Sequence, residues 1–224
     1  MGIIDLFFPR VCPVCNKLLV SGEKSICLNC LSDMPLSYFW NWRGNPAEAM
    51  LKERIEVSAA ATLMLYRKKS KWRKPIHEFK YLGDRSCGRF LASMLAKKIS
   101  ESGNFSNIDI VIPVPLHPIK RWKRGFNQAS FIANIIAMEL GKPVIEGLLI
   151  RKRYSSTQTK KDKKGRKKGV EGVFYLKNPQ IISNKRIMLV DDVLTTGATL
   201  EACAQELYRS GGVELSVVTL AFVE

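Results

Sequence analysis

Short apolar runs alternate with helical patterns along most of the chain. Apolar residues repeat at helical spacing over 90–99, 131–136 and 200–207. Runs that are too short for a capped helix are typical of buried parallel strands. Strands are therefore predicted over 57–66, 108–114, 144–150, 173–176, 187–190 and 214–223. This alternation predicts an α/β fold with a mostly parallel sheet flanked by helices, and a ligand site at the carboxyl ends of the strands.

The strand over 187–190 ends in two adjacent carboxylates, Asp191 and Asp192. The next turn would place backbone N–H groups and three hydroxyls at a helix N-terminus, which is a site for phosphate. Its residues are Thr195, Thr196, Gly197, Ala198 and Thr199. The carboxylates can accept hydrogen bonds from a vicinal diol or help to hold a divalent metal ion. A phosphate group beside a vicinal diol is the arrangement found in ribose 5-phosphate. The alternative, an acidic pair that only caps a turn, would not explain both carboxylates.

This segment resembles the phosphoribosyl pyrophosphate (PRPP) motif of type I phosphoribosyltransferases. The resemblance implies their fold, a Mg²⁺ ion bound with PRPP, and catalytic roles for Asp191 and Asp192. It also implies a pyrophosphate-holding loop after the strand over 108–114, where Leu116 and His117 stand between prolines that lack backbone donors. Two roles are open for His117: that of a catalytic base, or only that of a turn residue between prolines.

A basic loop between the predicted strands forms a second part of this resemblance. Residues 151–168 carry ten Lys and Arg against one acid, a density that predicts a loop rather than a packed element. The loop is similar to the one that closes over the phosphates in amidophosphoribosyltransferases. A basic lid stabilises charge on departing pyrophosphate and excludes water. Arg166 is the predicted catalytic residue of this loop, and Lys160 and Lys161 are its predicted substrate contacts; a solvated charge run is the alternative.

Four of the six cysteines form two C-x-x-C pairs near the N-terminus, Cys12 with Cys15 and Cys27 with Cys30. Two such pairs supply the four thiolates of a closed, structural zinc site. Two alternatives for these cysteines are less favoured. Disulfide bonds are typical of secreted proteins, and no secretory signal is found in the sequence. A redox C-x-x-C motif would not require two copies. The remaining cysteines, Cys87 and Cys203, are predicted to be buried small apolar residues.

These patterns divide the chain into a four-cysteine zinc module over 1–40, a linker over 41–56 with little regular pattern, and a phosphoribosyltransferase-like domain over 57–224. The 224 residues include 36 Lys and Arg against 20 Asp and Glu, a net charge of +16. This excess points first to nucleic acid and second to an anionic membrane. No apolar run has the length of a membrane span, and the N-terminus lacks the features of a signal peptide. The expected location is the cytoplasm.

The combination of motifs resembles the ComF family of competence proteins over nearly the full length. The shared segments are the double cysteine pair, 80–84, 113–118, 124–128, 157–159 and the acidic-pair motif. This resemblance implies uptake or processing of single-stranded DNA, with a competence helicase or other DNA-processing protein as partner. It also implies, as an alternative location, the inner face of the membrane within a DNA-uptake complex. Glutamine-dependent amide transfer is excluded, because the early cysteines belong to the zinc pattern and no N-terminal catalytic cysteine follows Met1.

Two functions follow from these observations. The first is a DNA-handling protein that binds PRPP or a similar sugar phosphate and single-stranded DNA, since basic residues hold phosphates and aromatic faces stack on bases. The predicted DNA contacts are Lys71, Trp72, Arg73 and Lys74 in one stretch, and Lys120, Arg121, Trp122, Lys123 and Arg124 in a basic turn. The second is an active phosphoribosyltransferase with an unidentified acceptor. Core packing is the alternative for the aromatic residues, and it is preferred for Phe79 and Tyr81.

Overall fold

A computed structural model describes residues 10–67, 70–81, 85–152 and 173–223. The helices are α1 (Leu28–Ser32), α2 (Pro46–Lys52), α3 (Arg73–Tyr81), α4 (Arg85–Ser102), α5 (Pro118–Arg124), α6 (Gln128–Leu140) and α7 (Ala198–Tyr208). The strands are β1 (Ala59–Tyr66), β2 (Ile110–Pro113), β3 (Leu149–Arg151), β4 (Phe174–Leu176), β5 (Arg186–Leu194) and β6 (Glu214–Val223). Two 3₁₀ turns cover Phe39–Asn41 and Pro179–Ile182.

The central sheet has four strands, all parallel, in the order β1-β6-β5-β2. Side chains of β5 alternate between the two faces of the sheet, as the period of a strand requires. Met188 and Val190 belong to the apolar cluster that contains α4 and α6, whereas Ile187 and Leu189 belong to the cluster that contains α2 and α7. The predicted parallel sheet between helical layers is confirmed.

The predicted strand over 144–150 is instead divided between two sheets. Val144 makes an isolated parallel bridge to Val111 at the edge of the central sheet. Three residues later Gly147 has a φ of 74°, a conformation that favours glycine and turns the chain. β3 then pairs antiparallel with β4 in a separate two-stranded sheet. The apolar pattern identified the buried positions, but Gly147 prevents them from forming one strand.

The segment from 35 to 56 is a packed part of the structure, so the prediction that it has little regular pattern is wrong. Asn45 is fully buried and caps α2, since its Oδ1 accepts a hydrogen bond from the Glu48 N–H at 3.0 Å. Its Nδ2 donates to the carbonyls of Phe39 at 3.1 Å and Ala60 at 2.8 Å. One amide side chain therefore joins the 3₁₀ turn, α2 and β1.

The N-terminal module packs on the sheet domain through a continuous apolar cluster. Cys12, Cys27 and Cys30 belong to the same cluster as residues of α3, α4 and α6. Leu36 also makes an antiparallel bridge with Met64 of β1. The two predicted parts of the chain thus share one core. In the part of the chain that the structure describes, no helix is long and apolar enough to cross a membrane.

Candidate functional site

The acidic-pair segment adopts the predicted order of strand, turn and helix. Asp191 and Asp192 lie in β5, and α7 begins at Ala198. Gly197 has a φ of 74°, which allows the sharp change of direction between strand and helix. A small cavity of about 40 Å³ forms here, lined by Asp191, Val193, Leu194, Thr195, Thr196, Gly197, Ala198, Thr199 and Leu200. One carboxylate of the pair and all five predicted turn residues therefore meet at one site.

The two carboxylates differ in their electrostatic surroundings. The Asp192 N–H donates to Asp191 Oδ1 at 2.8 Å. Loss of water around Asp191 and the negative charge of Asp192 together raise the pKa of Asp191 to about 7. Asp192 instead forms an ion pair with Lys80, whose Nζ lies 2.9 Å from Asp192 Oδ1. Asp191 is thus poised to gain or lose a proton near neutral pH, while Asp192 has a fixed cationic partner.

Lys80 is a residue of this site that the sequence analysis did not predict as a site residue. Its side chain is largely buried, which alone would lower its pKa, but Asp192 and Asp191 raise that pKa above its ordinary value. A Gln128 side-chain amide donates to the Lys80 carbonyl at 3.1 Å. The only sequence signal was its place in the segment 80–84, because Lys80 and Asp192 are far apart in the chain.

Further cations lie close to the acidic pair. Burial lowers the pKa of Lys120, and the positive charges of Arg151, Arg124 and Lys80 lower it further. The charge of Arg151 also acts on Asp191. Lys80, Lys120, Arg124 and Arg151 therefore form one group of interacting cations, of which Lys80 and Arg151 also act on Asp191. This group favours an anionic ligand over a neutral one.

The proline-rich segment after β2 lies beside the acidic pair and borders a second cavity. The Val114 N–H donates to the Val190 carbonyl at 2.8 Å. The Nδ1 atom of His117 accepts a hydrogen bond from the Ile119 N–H at 3.3 Å and caps α5. His117 is therefore a turn residue in this structure, and its ring caps the helix that follows the turn. A cavity of about 250 Å³ is lined by Leu116, Arg151 and ten neighbours: Pro113, Pro115, Pro118, Arg121, Asn127, Ser130, Glu146, Gly147, Leu149 and Ile150.

The first predicted DNA-binding stretch lies against the N-terminal module. Trp72 is only 1% exposed, so its ring is not available for base stacking, and this prediction is wrong. Lys71 forms an ion pair with Asp33, and Lys74 contacts Asn16. Arg73 begins α3. Sequence alone showed an aromatic residue among basic ones, but could not show that the indole is buried in the apolar cluster that the zinc module shares with the sheet domain.

The second predicted stretch has a different character. Residues predicted as a basic turn form α5, which ends at Gly125 with a φ of 79°. Trp122 is 83% exposed. Its neighbours on the helix are Lys120, Arg121, Lys123 and Arg124. The structure thus presents an exposed aromatic ring on a short surface helix, with Arg121 and Lys123 exposed on either side of it in sequence. The predicted lid residues, Lys160, Lys161 and Arg166, lie outside the described residues.

The four module cysteines converge as the spacing predicts. The Sγ atoms of Cys12, Cys15, Cys27 and Cys30 all lie within 4.8 Å of one another. Tetrahedral zinc with Zn–S bonds of about 2.3 Å requires S–S separations of about 3.8 Å. Burial raises the pKa of Cys30, whereas backbone N–H donors lower that of Cys12 to about 7 against the effect of its own burial. Four thiolates this close require a cation, so the donor set fits structural zinc. Cys87 and Cys203 are buried, as predicted.

Two family models match separate parts of the chain. The phosphoribosyl transferase domain matches residues 91–223, and the double zinc ribbon domain matches residues 3–39. The second match covers the residues around the four-cysteine cluster. The first covers β2, β5, β6 and the whole acidic-pair motif.

Curated relatives agree with this assignment. Competence protein F of Haemophilus influenzae is 29% identical over 65% of this chain and 66% of its own length. DNA utilization protein YhgH of Salmonella typhi is 28% identical over 63% of each chain. Competence protein ComFC of Bacillus subtilis is 25% identical over 90% of this chain and 73% of its own length. The chain spans slightly less than two thirds of the first two relatives.

Solved structures with a similar fold include two phosphoribosyltransferases. A purine phosphoribosyltransferase from Pyrococcus horikoshii has a TM-score of 0.38 and 19% identity, with 59% of this chain and 80% of that chain covered. Adenine phosphoribosyltransferase from Leishmania tarentolae has a TM-score of 0.41 and 16% identity, with 65% and 74% covered. The domain match over 91–223 and the double zinc ribbon match over 3–39 establish the assignment. The chain therefore belongs to the phosphoribosyl transferase domain family and is a ComFC-like member with an N-terminal double zinc ribbon.

Proposed function

We propose that the chain binds a phosphoribosyl ligand, with Mg²⁺-PRPP as the first choice, at the acidic pair and the following turn. The observation that carries this proposal is the single cavity shared by Asp191 and the turn residues from Thr195 to Thr199. Backbone N–H groups and hydroxyls at the start of α7 hold the 5-phosphate. Asp191 and Asp192 accept hydrogen bonds from the ribose hydroxyls, and a Mg²⁺ ion bound with PRPP would offset the negative charge of its pyrophosphate.

The charge around the site supports the same ligand. Two carboxylates alone would repel a polyphosphate, but Lys80 and Arg151 act on Asp191, and Lys120 and Arg124 belong to the same group of cations. In the proposed complex Lys120, Arg124 and Arg151 face the pyrophosphate, whereas Lys80 orients Asp192. Lys160, Lys161 and Arg166, which lie outside the described residues, are proposed to cover it, and Leu116 and His117 border it.

Titration with ligand fragments tests the two halves of this proposal separately. Isothermal titration calorimetry with ribose 5-phosphate tests the turn, because this fragment carries the phosphate and the diol without pyrophosphate. Thr196→Val removes one hydroxyl with little change of shape and should weaken ribose 5-phosphate by about 5- to 10-fold. Thr62→Val, a buried threonine of β1 outside the cavity, serves as the matched control. Equal affinity in the wild type and Thr196→Val would contradict the proposed phosphate site.

We further propose that the chain handles single-stranded DNA, as the names of the competence and DNA-utilization relatives suggest. The exposed ring of Trp122 among the cations of α5 supports this role, since stacking on one aromatic side chain contributes about 1–3 kcal/mol. In fluorescence anisotropy with a labelled oligonucleotide, Trp122→Ala should weaken binding while retaining its salt dependence. Lys123→Ala should reduce the salt slope. Trp42→Ala, another exposed tryptophan but remote in sequence, is the control. If all three variants bind like the wild type, α5 is not the DNA surface.

Phosphoribosyl transfer is the second candidate function, and the cavity of about 250 Å³ favours it. Arg151 lines this cavity and also acts electrostatically on Asp191, so an acceptor bound there would lie beside the ribose. Its nucleophilic atom would form a bond to ribose C1 while the C1–O bond breaks and pyrophosphate leaves with the electron pair. A screen of nucleobase and amine acceptors, monitored by pyrophosphate release, tests this. Release that requires an acceptor and is lost in Asp191→Asn would support transfer. Absence of acceptor-dependent release across the screen would favour a binding role alone.

A further inference from the structure

Helix α3 lies between the zinc module and the acidic pair. At its N-terminal side, Lys71 pairs with Asp33 and Lys74 contacts Asn16, and both partners belong to the zinc module. At its C-terminal side, Lys80 pairs with Asp192. Helix α3 begins at Arg73, directly after Trp72, and the seven helical steps from Arg73 to Lys80 span about 10.5 Å. One short helix therefore contacts both sites.

Apolar packing holds the first half of this helix against the zinc module. Trp72 is 1% exposed and Ile76 is 2% exposed. Both belong to the same buried cluster as Cys12, Cys27 and Cys30. Because protein interiors are close-packed, a rearrangement of the cysteine knuckles would disturb the shared apolar cluster to which Trp72 belongs.

The second half of α3 is held by close contacts that leave little room for adjustment. Phe79 is fully buried, with its ring centroid 5.5 Å from that of Phe126 and 5.6 Å from that of Phe131. A Cβ atom added at Gly88 of α4 would overlap the Phe79 ring. Gln128 donates to the Lys80 carbonyl at 3.1 Å. Displacement of α3 at its first turn therefore reaches Lys80 through a rigid helix.

We propose that the zinc module positions Lys80 at Asp192 through α3, so that zinc occupancy of the four cysteines controls ligand affinity at the acidic pair. Lys80 is a positioning residue in this account, since it orients the Asp192 carboxylate. The effect on affinity rests on the proposed phosphoribosyl ligand, whereas the mechanical link between the two sites does not. Coupling of this kind changes affinity by about 5- to 150-fold.

Hydrogen exchange measured by mass spectrometry tests the link without any ligand. The double variant Asn16→Gly/Asp33→Ala removes the polar contacts to Lys74 and Lys71 while retaining all four cysteines, and glycine suits the φ of 61° at residue 16. Asp33 is exposed, so its replacement should leave the fold and the zinc content intact. Exchange should increase at 73–81 and also at 187–199. Removal of zinc with a chelator should give the same pattern with a larger amplitude. Faster exchange at 73–81 with unchanged exchange at 187–199 would overturn the proposal.

Calorimetric titration with Mg²⁺-PRPP then separates this proposal from the proposed function. In the double variant the dissociation constant should rise about fivefold or more, while Glu101→Gln, at an exposed ion pair of α4, should bind as the wild type does. Unchanged affinity in the zinc-loaded double variant would overturn the coupling and leave the ligand site in place. If the wild type does not bind PRPP but exchange still spreads from 73–81 to 187–199, the proposed ligand is wrong and the positioning of Lys80 stands.

Discussion

Lys80 Nζ lies 2.9 Å from Asp192 Oδ1, although 111 residues separate the two in the chain. This ion pair joins helix α3 to the strand that carries the acidic pair. Neither side chain is much exposed, at 21% for Lys80 and 13% for Asp192. Their attraction is therefore screened less than that of a surface pair.

Removal of the Lys80 charge should affect both stability and ligand affinity. Lys80→Met retains most of the aliphatic stem but leaves the Asp192 carboxylate without its cation. The free energy of unfolding should fall by about 1–3 kcal/mol, and Mg²⁺-PRPP should bind more weakly because Asp192 loses the cation that orients its carboxylate. Urea denaturation and calorimetry measure the two effects.

Two further variants define the role of Lys80. Lys80→Arg should restore much of the affinity, because a guanidinium can also pair with a carboxylate. Lys97→Met, which removes an exposed cation 3.9 Å from Glu101, should change neither quantity by much. Wild-type affinity and stability in Lys80→Met would show that the ion pair has no role.

Ligand affinity should increase with pH through neutrality. The pKa of Asp191 is about 7 in the free chain, and a protonated carboxyl accepts hydrogen bonds from the ribose hydroxyls less well than a carboxylate. Affinity for Mg²⁺-PRPP should therefore be weak at pH 6 and reach a plateau above pH 8. Asp191→Asn, titrated over the same range, reports the pH dependence of the ligand itself. Parallel curves for the two proteins would contradict this prediction.

The same group makes stability depend on pH. The folded chain raises the pKa of Asp191 from 3.8 to about 7, so between these values the folded state retains a proton that the unfolded state has lost. This contribution stabilises the fold at the acidic end and is lost as the pH rises to 7. The difference in unfolding free energy between the wild type and Asp191→Asn should therefore change across this interval. A difference in unfolding free energy that does not change with pH would mean that folding does not raise the pKa of Asp191.

Gly88 should not tolerate a side chain. In Gly88→Ala the new methyl group would overlap the buried Phe79 ring, and overpacking of this kind costs about 1–3 kcal/mol. Displacement of Phe79 would also move the neighbouring Lys80. Thermal and urea denaturation should show the loss, whereas Ser100→Ala, at an exposed position of the same helix, should be nearly neutral. A Gly88→Ala protein as stable as the wild type would mean that α3 and α4 can separate without cost.

Loss of one cysteine ligand should destabilise more than the N-terminal module. Cys27→Ser leaves three thiolates, and the cluster that includes Cys27 extends through Trp72 into the sheet domain. We expect less than one zinc per chain by elemental analysis and a single calorimetric transition at lower temperature. Lys24→Ala, at an exposed position of the module, should retain zinc. Two separate transitions, with the second unchanged, would show that the module and the domain unfold independently.

Local patterns predicted those features that depend on neighbours in sequence. The apolar run before Asp191, the Thr/Gly turn and the paired cysteines each form one local unit, and each adopts the expected arrangement. Features that depend on distant partners were not accessible in this way. The burial of Trp72 under the zinc module and the Lys80–Asp192 ion pair require the tertiary fold. Helix α2, which was not predicted, is capped by Asn45. The amide group of Asn45 also donates to the carbonyls of Phe39 and Ala60, which lie before and after it in the chain.

Calorimetric titration of Mg²⁺-PRPP into the wild type and Asp192→Asn tests the central claim most directly. The substitution preserves the size of the side chain and removes its negative charge. That charge pairs with Lys80 and, in the proposed complex, accepts hydrogen bonds from the ligand diol. We predict saturable binding to the wild type and to Glu101→Gln, and no detectable binding to Asp192→Asn at the same concentrations. Equal binding to all three proteins would contradict the assignment of the acidic pair as the phosphoribosyl site.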